Sequence, residues 1–235
     1  MSAKNASRNE RHMTGDVRSI NAGLWDVMYR DGLVIAYPND VFVRVAHRLF
    51  DVRTHPTILD YGFGSGQNTA HLLTRGFQVH GVEVSGAAVR AATDLLSRHG
   101  LTAELRVTTD GVLPYADSAF DGAIAWGVLE YNDWHGLGAA VREIDRVLRP
   151  GGLFLGAINA PGDFKHEHAT PLGDGLFALD AATGGQQGAR VLIMDREDLP
   201  RCFPGRSLTV GHYEHSFGPT YARHWIVSYA KDGAG

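Results

Sequence analysis

The chain has 235 residues, 44% of them hydrophobic and 20% charged, enough for one large domain with a substantial core. A net charge of −4 and a pI near 6.3 speak against a nucleic-acid partner, whose phosphates call for a basic surface. The one cysteine, Cys202, excludes an internal disulfide framework, and no apolar run reaches the ~18 residues of a membrane-spanning helix.

In chain order, residues 1–16 are polar, lack the apolar centre of a secretory signal and read as a mobile tail; a cytoplasmic protein is expected. Residues 17–235 read as a single domain. Within it, 17–55 carry helical spacing at Leu24, Val27 and Met28 and again at Val41, Val43, Val45, Ala46 and Leu49. These form an N-terminal helical cover, with a turn at Tyr37-Pro38 and Asp40 as cap of the second helix. Alternation follows. PTILDYG is a buried strand, QNTAHLLTRG a helix ending at Gly76, FQVHGVEV a second strand and SGAAVRAATDLLSRHG a helix capped by Ser85 and stopped by Gly100. AELRVTTD, FDGAIAWGVL and LFLGAIN are further strands, with the helix LGAAVREIDRVL before the last of them. Strands separated by helices predict an open, mostly parallel α/β sheet with helices on both faces.

The last third differs. Residues 159–190 read as a lid or hairpin insertion, pairing LFALD with RVLIM around ATGGQQGA. DREDLPRCF is a short helix. SLTVGHYEHSF and RHWIVSYAK have no room for a crossover helix between them, so they pair antiparallel and close the sheet.

The chemistry concentrates in ILDYGFGSGQNTAHLL, residues 58–73, a strand, a loop with Gly62, Gly64 and Gly66, and a helix. Such a loop admits a ligand where a Cβ would collide, next to the unpaired N–H groups of a helix start. Glu83 ends the second strand and is placed to accept both hydroxyls of a ribose. Asp110 ends the third and is placed to accept an adenine amine. An adenosine ligand fits both NAD and S-adenosylmethionine. The spacing G-x-G-x-G lacks the late glycine of the dinucleotide fingerprint. An acid at Asp60 would repel a pyrophosphate but suits the ammonium of an aminoacyl group.

The stretches ILDYGFGSG, VHGVEVSGAAVRAA, TTDGVLPYADSAFDGAIAWGVLEY and VREIDRVLRPGGLFLGAI resemble, in order, the class I S-adenosylmethionine-dependent methyltransferases over Thr57–Ile158. The resemblance implies a seven-stranded Rossmann-like sheet with an antiparallel last strand, and S-adenosyl-L-methionine as cofactor. It gives Asp60, Gly62, Gly64 and Gly66 to the methionine part of the cofactor. Glu83 goes to the ribose, Val84 and Asp110 with Gly111 to the adenine, and Trp126 and Gly127 to the neighbourhood of the sulfonium. Tyr61 and Phe63 are bulkier than the family's usual residues.

Beyond the expected methyl, Glu130 and His135 are candidate proton acceptors and Tyr131 a substrate contact; the plain alternative is packing and helix capping. FKHEH offers His166 as a further base in a loop over the site, with His168 beside it. Their spacing, with Glu167 between, fits no zinc signature, and no metal is expected. Trp25, Tyr29 and Tyr37 are candidate walls of the substrate pocket. AWGVLEYNDWHG lacks the Asn or Asp, two prolines and aromatic of amino-methylating DNA enzymes, which points to methylation of an oxygen or nitrogen on a small molecule. A cofactor-binding partner without catalysis, or methylation of a protein or tRNA, are the other readings.

Overall fold

The computed structural model describes residues 16–218 and 220–233; the tail expected over 1–16 lies almost wholly outside them. Two helices come first, α1 (Val17–Arg30) and α2 (Asp40–Leu49). The alternating core then runs β1 (Thr57–Tyr61), α3 (Gln67–Thr74), β2 (Gln78–Glu83), α4 (Gly86–Arg98), β3 (Glu104–Val107), β4 (Phe120–Trp126), α5 (Trp134–Val147) and β5 (Leu148–Asn159). A single turn α6 (Phe164–Glu167) leads to β6 (Ala169–Gly173), β7 (Leu176–Leu179) and β8 (Arg190–Leu192). The chain ends with α7 (Leu199–Cys202), β9 (Thr209–Phe217) and β10 (Thr220–Ala230).

Seven strands form one sheet in the order β3-β2-β1-β4-β5-β10-β9. The first five are parallel, and β10 runs antiparallel to both β5 and β9. This is the open, mostly parallel sheet expected from the alternation, and its seven strands with a C-terminal antiparallel pair are those of the Rossmann-like sheet that the resemblance implies. The order reverses between β1 and β4, so the carboxyl ends of β1, β2 and β4 open a crevice where such sheets bind ligands.

The periodicity explains the packing. On α5, Leu137, Ala140, Val141, Ile144 and Val147 are buried, the stripe of an amphipathic helix against the sheet. Asp133 starts it by accepting from Gly136 N at 2.7 Å. On the other face α2 buries Phe42 and Ala46, which join Ile58, Leu72 and Ile124 in a second core cluster. The cap of α2 is Asn39, whose Oδ1 accepts from Val41 N and Phe42 N. Asp40, expected in that role, is instead the first helical residue, paired with Arg44 on the surface. β3 ends at Val107, short of the expected Asp110, because the Asp110 carboxylate turns back onto Val112 N and Thr108 Oγ1 and bends the chain.

The expected hairpin is present as β7 and β8, and β6 adds a third strand that the sequence did not announce. This small sheet has its own core of Leu179, Val191 and Ile193, against which Leu24 and Trp25 of α1 and Phe177 pack. Asn21 fixes the junction. Its amide donates to Tyr131 O and Arg190 O, both at 2.8 Å, and its Oδ1 accepts from Arg190 N at 2.9 Å.

Gly66, at the start of α3, has φ +83° and leaves no room for a side chain: a Cβ would lie 2.9 Å from that of Ala92. Gly100 has φ +65° with open space around it. Both positions resist alanine through backbone strain, but only Gly66 adds a clash. Gly66→Ala is expected to destabilise the fold by about 1–3 kcal/mol and by more than Gly100→Ala. Urea unfolding of the two variants checks this.

Candidate active site

A cavity of about 300 Å³ lies along the carboxyl edge of the sheet, in the lower part of the size range of small-ligand sites. Its floor runs from Thr108 beyond β3, through Glu83 and Val84 after β2, across Gly62 and Gly64 after β1, to Trp126, Gly127 and Val128 leaving β4. Trp25, Met28 and Tyr29 of α1 close it from above, and Tyr131, Lys165 and Gln186 close its β4–β5 end.

Glu83 is the one carboxylate in this lining among the described residues. Its side chain is held by two backbone donors, Gly64 N at 3.1 Å and Val84 N at 2.6 Å. Burial raises its pKa, and these donors work against that rise. The loop must be glycine at Gly62, where φ is +73° and a Cβ would overlap the side chain of Val128. At Gly64 a Cβ would come within 2.6 Å of the Tyr29 hydroxyl. The missing side chains are therefore what keeps the floor open beneath α1.

Asp60 does not line the cavity. It is buried beneath the loop, where its Oδ2 accepts from Thr69 Oγ1 at 2.6 Å and so ties β1 to the first turn of α3. It stands behind the glycines, anchoring the loop to which the resemblance assigns the methionine end of the cofactor. Gly66 likewise serves the α3–α4 contact. Asp110 and Gly111 lie outside the lining, in a separate surface depression with His135, because β3 ends early and Arg18 occupies the space over Gly111.

The candidate acid–base residues divide. Tyr131 lines the cavity. Its hydroxyl accepts from Lys165 Nζ at 2.8 Å and donates to Gln186 Oε1 at 3.1 Å, and burial raises its pKa. His135 is exposed on the outer side of α5. His166 is turned toward Phe177, 5.1 Å between ring centroids, and its Nδ1 accepts from Gly162 N at 3.2 Å. Glu130 is fully buried behind Gly127, with neither oxygen hydrogen-bonded, and it lies outside the lining. Of the three aromatics assigned to the substrate wall, Trp25 and Tyr29 line the cavity, while Tyr37 is 83% exposed in the turn before α2.

Among the lining residues not singled out from the sequence are the polar side chains of Arg18, Asn21, Thr108, Asn132, Lys165 and Gln186. Lys165 sits in the same FKHEH turn as His166, about 100° away around the helix. That turn of four residues has too little periodicity to say which side chain points inward.

Burial lifts Asp60 and Glu130 to about 7; for Asp60 the Thr69 hydroxyl opposes the shift and Glu83 adds to it, and for Glu130 the Lys165 charge opposes it. A folded-state pKa above the unfolded value means that the native chain holds a proton which the unfolded chain releases. Stability is therefore full below the ordinary carboxylate value and falls as pH rises toward 7, by about 1.4 kcal/mol per pH unit for each such group. Thermal unfolding between pH 5 and 8 is expected to fall less steeply with pH in Glu130→Gln than in the wild type.

Comparison with known proteins agrees with this geometry. The family model described as a methyltransferase domain matches residues 58–152, from β1 into β5. The Escherichia coli protein YafE, itself uncharacterised, is 32% identical over 103 residues, 43% of this chain and 45% of YafE. The O-methyltransferase rstn1 of Aspergillus nomiae is 29% identical over 181 residues, 70% of this chain and 79% of that protein. The match thus spans under half of the first relative and about four fifths of the second. A S-adenosylmethionine-dependent methyltransferase of known structure from Methanosarcina mazei superposes with a TM-score of 0.68 at 21% identity, covering 86% of this chain and all of that one. The methyltransferase-domain match over residues 58–152 and the strand order 3-2-1-4-5 closed by an antiparallel pair agree, and the chain has the fold of the S-adenosylmethionine-dependent methyltransferase it superposes on.

Proposed function

We propose that the chain transfers the methyl group of S-adenosylmethionine to an oxygen or nitrogen of a small molecule. The observation that carries this reading is a single cavity that spans the sheet's switch point from Glu83 to Tyr131 under the cover of α1. The residues fit the cofactor. Glu83 presents a fixed carboxylate at the ribose position, and Gly62 and Gly64 leave the cradle that side chains would fill. Val84 and Thr108 flank the adenine end, where Thr108 stands in the lining instead of the expected Asp110. Asp60 acts on the aminoacyl end through the loop it anchors.

The cofactor, when bound, supplies an activated methyl carbon. This chain's own residues align the acceptor and exclude water, which for an in-line displacement is the larger part of catalysis. Trp126, Gly127 and Val128 form the floor beside the methyl, and Trp25 covers Tyr131 edge-on at 5.0 Å between centroids. A roof of α1 and the segment containing Gln186 favours a small acceptor over a protein side chain or a tRNA. The test incubates the purified chain with radiolabelled S-adenosylmethionine and a fractionated small-molecule extract. Label in an acceptor below about 1 kDa supports the reading; label found only in protein or RNA fractions contradicts it.

A further inference from the structure

Among the described residues, no side chain in the cavity lining is suited to remove a proton from an acceptor. The lining holds no histidine among the described residues, and its one carboxylate, Glu83, lies at the β2 end, held by Gly64 N and Val84 N. Tyr131 is fixed between Lys165 and Gln186. Glu130 is walled off behind Gly127, and His135 and His166 face elsewhere.

What the β4–β5 end does present is a cation. Lys165 donates to Tyr131 Oη, its one acceptor among the described residues, which leaves two of its three N–H bonds for a ligand. No carboxylate is in salt-bridge contact with it among the described residues: Asp163 accepts instead from the backbone N–H groups of Lys165 and Arg223, and Glu130 has no hydrogen-bond partner and is raised by burial toward its protonated form. An ammonium beside the place of a sulfonium is unfavourable unless an anion stands between them. A protonated amine acceptor would add a third positive charge.

We infer that the methyl acceptor is an acidic oxygen, a carboxylate or a phenol or enol acidic enough to arrive ionised, held by Lys165 at the β4–β5 end of the cavity. This narrows the proposed function and rests on it. In the transfer, an oxyanion lone pair forms the O–C bond while the C–S bond breaks and its electron pair stays on sulfur. No proton is released and none has to be accepted. Lys165 is a binding residue for the acceptor anion, and Tyr131 orients its ammonium.

The experiment saturates the full chain with S-adenosylhomocysteine and then titrates it with benzoate, benzyl alcohol and benzylamine by calorimetry. Benzoate is expected to bind at least tenfold tighter than the other two, with the preference lost in Lys165→Met and retained in Lys165→Arg. Lys165→Met should also raise the affinity for S-adenosylmethionine relative to S-adenosylhomocysteine by about threefold or more, because a like charge near the sulfonium is removed. A merely structural lysine would leave that ratio unchanged. Benzoate binding no tighter than benzyl alcohol, or equal anion binding in wild type and Lys165→Met, would overturn the inference while leaving the cofactor reading intact. Failure of S-adenosylhomocysteine itself to bind would remove both.

Discussion

Glu83→Ala is expected to lower the affinity for S-adenosylmethionine roughly ten- to a hundredfold, the loss of charge-assisted hydrogen bonds worth about 1.5–3 kcal/mol. The wild-type carboxylate is already in place without ligand, bonded to Gly64 N and Val84 N, so little ordering is required when a ribose arrives. Removing it also frees those two N–H groups at the edge of the loop. Glu83→Gln keeps the shape but loses the charge and should fall between. Both affinities are read by calorimetric titration, with circular dichroism as the check on folding. Unchanged binding in both folded variants would sink the assignment of Glu83 to the cofactor.

Asn21→Ala is expected to loosen the cover. One amide side chain satisfies the backbone of Tyr131 and both polar groups of Arg190, joining α1 to the turn after β4 and to the small sheet. Asn21 is 3% exposed, and its removal leaves three polar backbone groups without this partner. The cost is about 2–4 kcal/mol. Because Asn21 holds only the junction with the turn after β4 and the small sheet, while Asp26, accepting from Ser85 Oγ and Ala87 N, keeps α1 against the start of α4, that cost should appear locally: amides of α1 and β8 exchange faster with deuterium, and cofactor affinity falls while the central sheet keeps its protection. A uniform drop in protection across β1, β4 and β5 would mean instead that α1 unfolds only with the whole domain.

The sequence made the sheet legible because strand and helix periods alternate cleanly from Thr57 to Asn159, and because the last two strand-like runs leave no room for a crossover. The glycine loop was legible for a related reason: Gly62 and Gly64 stand where no side chain fits. Less could be read where a polar residue works inside the protein. Asn21 looks like the solvent face of an amphipathic helix, yet its amide matches backbone groups more than a hundred residues away. Lys165 and His166 differ only in which side of one helical turn faces the cavity. Asp110 was given to the adenine on the assumption of a longer β3, and its own turn of hydrogen bonds bends it out of the lining. Glu130 follows β4 as expected, but it is fully buried and lies outside the cavity lining. β6 escaped notice because ATPLG, with proline and glycine, reads as loop and is strand only through pairing with β7.

The measurement that tests the account most directly is calorimetric titration of the purified chain with S-adenosylmethionine, S-adenosylhomocysteine and NAD in parallel. Micromolar binding of both sulfur ligands, with none of NAD, is the expected result. Binding of NAD, or of neither sulfur ligand, would contradict the claim that this cavity is built for S-adenosylmethionine.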